Sequence, residues 1–298
     1  MPPALTVRTL QQLNTLEPAG FVAELGNLFE HAPWVAEQAA PLRPFATVRA
    51  IHDAMLGVVR RASPDRQLAL IRAHPELAGR EAVAGTLTEA SASEQSRLGL
   101  TSLAPSDYTR LADLNRRYRE TFGMPCIIAL RRHATLASVL AAFEQRIGAR
   151  PDAEFATALA EIGHVTEGRL EARLGLGGGR LSTHVLDTAR GLPAAGMAFT
   201  LHVLRTGDRS ADWHQLAAGT TNALGRTDRP LIGGLDMETA RFRLVFAVGD
   251  YYRGQSVPLA EPAFLDSVPI EFVFADAGQH YHVPLLCSPW SYSTYRGS

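Results

Sequence analysis

His280 and His282 stand two residues apart in the segment HYHVPLL, so on a strand both imidazoles project to one face and Tyr281 to the other. A face bearing two imidazoles fits poorly into an apolar core. His184, in LSTHVLD, and Arg226, in TTNALGRTDRPL, add a third imidazole and a guanidinium from the same half of the chain. Imidazole titrates near neutrality and can make a water nucleophilic, while arginine can meet an oxygen that gains negative charge. The three histidines would also suit zinc, although no cysteine or carboxylate motif accompanies them at familiar metal spacing. In the other half, His74 opens HPELAGR, Ser91 to Gln95 read SASEQ, and Arg169 lies in ALAEIGHVTEGRL. Individually these are modest: His-Pro ends many helices, and Ser91 with Glu94 matches a capping box.

All 29 basic residues are arginine, and the absence of lysine excludes a lysine Schiff base, a pyridoxal-phosphate site of the usual kind and a P-loop lysine. The formal charge is −1, and neither half is basic: 19 arginines face 19 acids before residue 175, and 10 face 11 after it. A nucleic-acid partner is therefore not expected. Cys126 and Cys287 sit in apolar runs and read as buried reduced thiols, which points to the cytoplasm. No apolar run approaches the roughly 18 residues of a membrane span, and no signal core is evident at the start.

The elements that must position these residues fall into two groups. The first 174 residues carry helical periodicity. Ser63 caps a helix opened by Pro64, and Ser106 caps one with Leu111, Leu114, Tyr118 and Phe122 on a stripe. Thr135 caps another carrying Val139, Leu140, Phe143 and Ile147, and a last helix from about Asp152 turns Phe155, Leu159 and Ile162 inward. An all-α domain over 1–174 is the expectation, followed by a glycine-rich linker, flexible by composition, at 175–180. Beyond it, MAFTLHVLR, ARFRLVFAV, PIEFVFAD and HYHVPLL are short, β-branched and aromatic, and parted by turn residues, so 181–298 reads as an all-β sandwich.

Together LSTHVLDTARGLPA, TTNALGRTDRPL and HYHVPLLCSPWSYSTYRGS resemble 5-hydroxyisourate hydrolase, the transthyretin-related enzyme of urate breakdown, over 181–298. The resemblance implies a transthyretin-like sandwich, catalysis without a metal, and catalytic roles for His184, Arg226, His282 and Ser298, with Tyr295 at the substrate. Leu224 departs from the acidic residue common before Gly-Arg in that family. A carrier reading also follows from the shared fold, because transthyretin binds hydrophobic ligands without catalysis.

The segments LFEHAPWVAEQ, HPELAGR, SASEQSRLGL, YRETFGMPCIIAL and ALAEIGHVTEGRL, in this order, resemble 2-oxo-4-hydroxy-4-carboxy-5-ureidoimidazoline (OHCU) decarboxylase over residues 10 to 173. By that resemblance His74 and Glu94 are catalytic. Pro75, Ser91, Ala92, Ser93, Gln95 and Arg169 border the substrate, and Cys126, Ile127, Ile128, Ala129 and Leu130 offer backbone hydrogen bonds. Met124 replaces the aromatic of the usual FGF. The bland competitor is a helical domain that only tethers or oligomerises the hydrolase.

One enzyme acts on the other's product, so the two resemblances support each other. They imply a bifunctional urate-catabolism chain yielding (S)-allantoin, with no cofactor, small-molecule substrates, and homo-oligomers: tetramers through the C-terminal domain and dimer contacts through the N-terminal one. Decarboxylation leaves a carbanion, and without a lysine imine the substrate's own ring must delocalise it. The expectation is that His74, held by Glu94, supplies the proton or stabilises the enolate, and that Arg169 binds a substrate carbonyl or carboxylate through its planar fork.

Overall fold

The structure is a computed structural model that describes residues 9–79, 82, 84–206, 211–255 and 257–297. It divides into two compact units, Met1–Leu174 and Gly175–Ser298.

The described part of the first unit is helical: α1 (Leu10–Thr15), α2 (Pro18–Leu25), α3 (Trp34–Ala39), α4 (Val48–Arg61), α5 (Pro64–Arg72), α6 (Glu89–Ser96), α7 (Pro105–Phe122), α8 (Leu136–Ile147) and α9 (Pro151–Arg173). Threonine and serine caps start several of them. Thr47, Ser63, Thr88 and Thr135 accept from the amides of Ala50, Arg66, Ser91 and Ser138. Ser106 does not cap α7. That helix begins one residue earlier, at Pro105, whose ring presets the first helical turn and has no N–H to satisfy. Nor does Ser91 act in a capping box, since Thr88 is the cap and the Ser91 hydroxyl turns to Glu30.

Helix α9 begins at Pro151, and its inward stripe is offset from the expected one. Phe155 and Leu159 are only half-buried, whereas Glu154, Ala158, Ile162, Thr166, Arg169 and Leu170 are buried. A 23-residue helix that buries this many polar groups must bring a partner to each. Glu154 takes the Tyr118 hydroxyl and the Arg146 guanidinium, and Thr166 meets the ring of the buried His52 at 3.0 Å.

The second unit contains β1 (Arg180–Ser182), β2 (Val185–Asp187), β3 (Leu192–Pro193), β4 (Ala198–Thr206), β5 (Ala211–Thr220), β6 (Ile232–Gly233), β7 (Arg241–Phe246), α10 (Val248–Gly254), β8 (Val268–Val273), β9 (His280–His282), β10 (Leu285–Cys287) and β11 (Tyr292–Thr294). Their sheet orders are β6-β1-β9, β11-β10-β2-β3 and β5-β4-β7-β8. Their buried faces share one apolar cluster that includes Leu181, Val185, Leu201, Phe242, Phe246, Tyr281 and Leu285. The unit is not all-β, because α10 interrupts it. Tyr251 and Tyr252 of that helix place their hydroxyls 3.1 and 2.8 Å from the two oxygens of buried Asp187 on β2.

Residues 175–180 are not free chain. Arg180 already belongs to β1, Leu176 is buried, and a Cβ at Gly179 would fall 2.0 Å from the Ala277 carbonyl oxygen. Glycine there allows close backbone approach rather than length.

Candidate active sites

His74 follows α5, whose C-terminal turn supplies the partner for its ring. Nδ1 lies 2.9 Å from the Leu70 carbonyl, which can only accept, so Nδ1 carries the proton. Nε2 is then a bare lone pair, buried and without a hydrogen-bond partner among the described residues. Burial pushes the pKa of His74 down to about 4, with the nearby Arg169 charge adding to the effect, so the ring is neutral at pH 7.

A half-open pocket with a cavity volume of about 40 Å³ lies beside this ring, lined among others by Pro75, Ser91, Glu94, Ile128 and Arg169. Arg169 is bound on every donor. Nε and Nη2 reach Glu94 at 2.8 and 3.0 Å, Nη1 reaches Glu30 at 2.8 Å and the Leu28 carbonyl at 3.3 Å, and Nη2 also reaches Ser91 at 3.0 Å. Those five bonds use all five N–H groups of a guanidinium. Burial by itself raises the pKa of Glu30, but the Thr88 hydroxyl and Arg169 outweigh it and hold the carboxyl below its ordinary value.

This arrangement corrects two expectations. Glu94 does not hold His74; it faces the Arg169 fork, whose planar geometry matches a carboxylate at two points, while a backbone carbonyl orients the imidazole. Arg169 has no donor left for a ligand while that pair is made. Glu30 is the residue that motif reading missed: its side chain is only 2% exposed and it anchors Arg169, Ser91 and Thr88 at once. LFEHAPW contained it, but only the fold joins it to a residue 139 positions away.

The SASEQ segment divides by helical period. Ser91, Glu94 and Gln95 share a face of α6 and line the pocket, whereas Ala92 and Ser93 point elsewhere and Ser93 is exposed. Both ends of the Gln95 amide are engaged by the His74 loop, accepting from the Ala78 amide at 2.8 Å and donating to the Glu76 carbonyl at 3.3 Å. Within 126–130, the Ile127 carbonyl takes Arg146, the Ala129 amide gives to Glu161 and the Leu130 carbonyl takes Arg97. The Ile128 peptide groups, like those of Cys126, take no such bond from the described residues and can serve a ligand. Burial pushes the Cys126 thiol up to about 12, so it is no nucleophile at neutral pH. Met124 is buried, but it is not part of the pocket wall.

In the second unit, β9 and β1 run parallel with Ser182 beside His282 and Leu181 beside Tyr281. Alternation buries Leu181 and Tyr281 and turns the other side chains to the opposite face. There the Ser182 hydroxyl lies 2.8 Å from His280 Nε2 and 2.9 Å from His282 Nδ1. His184 sits in the break between β1 and β2 and forms an isolated bridge with Arg226. The Leu224 side chain is exposed, and Asn222 Oδ1 holds the turn by accepting from the Leu224 and Arg226 amides at 2.9 and 3.1 Å. The departure at Leu224 therefore leaves the turn intact.

Burial, then the Arg226 guanidinium, lowers the pKa of His184; burial, Arg226 and the other two histidines lower that of His282. Both rings are neutral at pH 7, which suits a base. The chain's end returns to this place, with the Gly297 amide bonded to the His282 carbonyl at 2.8 Å. Tyr295 is exposed, and Ser298 lies outside the described residues. Among the described residues no three His, Cys, Asp or Glu side chains are grouped to hold a metal.

The family model described as OHCU decarboxylase matches residues 14–171, and that of the HIUase/Transthyretin family matches 181–297. A 5-hydroxyisourate hydrolase of Mesorhizobium japonicum is 59% identical over 121 residues, which are 41% of this chain and 94% of that protein. An OHCU decarboxylase of Haloferax volcanii is 42% identical over 165 residues, or 55% of this chain and 95% of that one. The crystal structure of an (S)-allantoin synthase superposes with a TM-score of 0.51 at 31% identity, covering 98% of this chain and all of that one. The chain thus belongs to the OHCU decarboxylase family through its first unit and to the HIUase/Transthyretin family through its second.

Proposed function

We propose that this chain is a bifunctional enzyme of urate breakdown, hydrolysing 5-hydroxyisourate in its second unit and decarboxylating the OHCU so formed to (S)-allantoin in its first. The observation that carries this reading is that one chain assembles two separate polar sets, each within its own unit: His74–Arg169–Glu94–Glu30 and His184–Arg226–Ser182–His282.

For hydrolysis, His282 and His184 are the neutral bases that activate water against the ring amide. Arg226 is the cation beside the carbonyl oxygen as it gains charge, and Tyr295 meets the substrate; the catalytic role of Ser298 rests on the family resemblance alone. For decarboxylation, the C4–carboxylate bond breaks and its electron pair forms C4=C5, while the C5=N pair moves to the ring nitrogen, which is protonated. The His74 lone pair takes the hydroxyl proton at C4 as the ring amide carbonyl forms, and C5 gains a proton on one face. A neutral ring with a free Nε2 suits this acceptor role better than the proton-donor role that the sequence suggested. Glu94 accepts from ureido or ring N–H groups, Ile128 offers its peptide groups, and Pro75, Cys126 and Leu130 exclude water. Arg169 acts by holding both carboxylates.

Domain limits of 1–174 and 181–298, an all-α first domain, a sandwich-like second one and a cytoplasmic location belong to the same reading. So does homo-oligomeric assembly through dimer contacts of the first unit and a tetramer of the second. The exposed Trp290, Tyr292 and Tyr295 on the second unit support assembly, and sedimentation analysis tests it. Among the described residues no helix is long and apolar enough to cross a membrane.

The test of function is urate with urate oxidase, with and without the full chain, followed by circular dichroism. Rapid appearance of optically active (S)-allantoin is the expected result. Racemic product at the spontaneous rate overturns the reading. His74→Asn should block only the second step and His282→Asn only the first.

A further inference from the structure

A hydroxyl has one proton, yet the Ser182 oxygen stands within hydrogen-bond distance of two imidazole nitrogens, His280 Nε2 at 2.8 Å and His282 Nδ1 at 2.9 Å. It must donate to one ring and accept from the other. With both rings neutral, only two arrangements exist. In one, His282 Nδ1–H donates to Ser182 and Ser182 donates to His280, which leaves His282 Nε2 as a lone pair. In the other every proton is shifted by one position, and His282 carries its proton on Nε2.

We propose that His280, Ser182 and His282 form a hydroxyl-bridged proton relay, in which Ser182 sets the tautomer of His282 and carries its proton to and from the outer imidazole. The inference rests on the hydrolase reading of the second unit. His282 is the inner member: it is close enough to Arg226 and His184 for both to act on its charge, and its carbonyl holds Gly297. His280 is the outer member, partly exposed near the edge of the same face.

The proton count closes. When His282 Nε2 takes a proton from the attacking water, the Nδ1 proton passes to Ser182 Oγ while the Ser182 proton passes to His280 Nε2. A proton then leaves His280 Nδ1 to solvent. Only N–H and O–H bonds change, and the net result is one proton moved from the nucleophile to bulk water. Run in reverse, the relay returns a proton for the nitrogen that leaves when the ring opens. The placement comes from the parallel pairing of β1 with β9, which sets Ser182 level with His282 and diagonal to His280 on one face. The charged and titratable groups around the relay are Arg226 and His184 beside His282 and Arg180 beside His280, with Arg296 over the Tyr281 ring at 4.7 Å.

The test uses the full chain with 5-hydroxyisourate. Ser182→Ala should lower kcat by about 10- to 100-fold, up to the lower end of the ~10²–10⁴ that a positioned acid–base group contributes, because His282 itself remains, while KM stays within about twofold. Ser182→Thr, which keeps the hydroxyl, should stay within about threefold of the parent in kcat. His280→Gln should lose kcat similarly and recover with added imidazole, and in both Ser182→Ala and His280→Gln the acid limb of the pH profile should move. Histidine ¹⁵N spectra give a readout apart from turnover: His282 should be protonated on Nδ1 in the parent and shift towards the Nε2–H form in Ser182→Ala. The relay is overturned if Ser182→Ala keeps the parent kcat and pH profile, if threonine fails to rescue, or if the His282 tautomer is unchanged. A parent chain that does not hydrolyse 5-hydroxyisourate overturns the hydrolase reading itself, and the spectra still decide whether the hydroxyl couples the two rings.

Discussion

Arg169 and Glu94 meet fork to fork, with Nε to Oε1 at 2.8 Å and Nη2 to Oε2 at 3.0 Å, and this pair forms one wall of the pocket beside His74. The remaining donors are spent on Glu30, Ser91 and the Leu28 carbonyl. Lysine keeps the charge but offers three donors from a single atom, so it cannot serve these five acceptors. Arg169→Lys should therefore reduce decarboxylation about 100-fold or more. It should also lower stability by about 1–3 kcal/mol, the cost of leaving buried acceptors unpaired. Hydrolysis by the second unit should be unchanged. Separate assays of the two steps, with thermal unfolding, check all three outcomes.

The depressed pKa of His74 makes a pH prediction whose sign is fixed. In the unfolded chain an ordinary histidine titrates near 6.5, and in the fold this ring titrates at about 4. Between those values the unfolded state binds more protons, so its contribution to stability is complete above pH 6.5 and is lost as the pH falls towards 4. The span corresponds to about 3 kcal/mol at ~1.4 kcal/mol per pKa unit. Denaturant melts from pH 7 to 4 should show that loss, and His74→Asn should flatten it. Decarboxylation, which needs the lone pair, should persist to lower pH than an ordinary histidine base would allow.

Much of this was legible in the residues, and the failures share one cause. His74, Pro75, Glu94 and Arg169 stand in short motifs, and the structure brings them to one pocket. What a linear motif cannot give is which neighbour each side chain chooses. Glu94 turned to Arg169 rather than His74 because a guanidinium fork fits a carboxylate at two points, while the end of α5 presents Leu70 to the imidazole. Ser91 to Gln95 cannot form a continuous border, because the helical period sends Ala92 and Ser93 away from the pocket. Ser182 was open to discovery: alternation from buried Leu181 puts it on the histidine face once β1 and β9 are paired, but that pairing joins residues about a hundred positions apart. Helix α10 gave no signal, since Val248–Gly254 is short and lies among strands.

Ala78 is a non-glycine residue with φ of +47°, held there by the bond from its amide to Gln95 Oε1 at 2.8 Å. The left-handed region costs an L-residue roughly 1–2 kcal/mol, which glycine does not incur, although glycine also loses more freedom on folding. Ala78→Gly should thus leave stability within about 1 kcal/mol of the parent. Gln95→Leu keeps the bulk but leaves the Ala78 amide and the Glu76 carbonyl unpaired. It should cost about 1–3 kcal/mol and slow decarboxylation by loosening the His74 loop. Chemical denaturation of both variants checks the order.

Gly225 does for the hydrolase site what Gln95 does for the other, and it does so through shape alone. Its φ is +68°, and a Cβ there would fall 2.3 Å from the Val185 carbonyl oxygen and 3.2 Å from the Ala194 nitrogen. That closeness lets the Gly225 carbonyl take the Val185 amide at 2.8 Å and sets Arg226 against His184. The Val185 oxygen belongs to β2, which is paired on both edges with β10 and β3, so it cannot yield. In Gly225→Ala the turn 222–226 must therefore move instead, and Arg226 moves with it. The backbone strain alone is about 1–2 kcal/mol before the contact is relieved. Hydrolysis should fall about 100-fold or more in kcat/KM as the guanidinium leaves the developing oxyanion, the loss that removing one such donor brings. Decarboxylation of OHCU supplied directly should be unaffected. A variant that hydrolyses 5-hydroxyisourate at the parent rate would show that Arg226 acts without the position this glycine imposes.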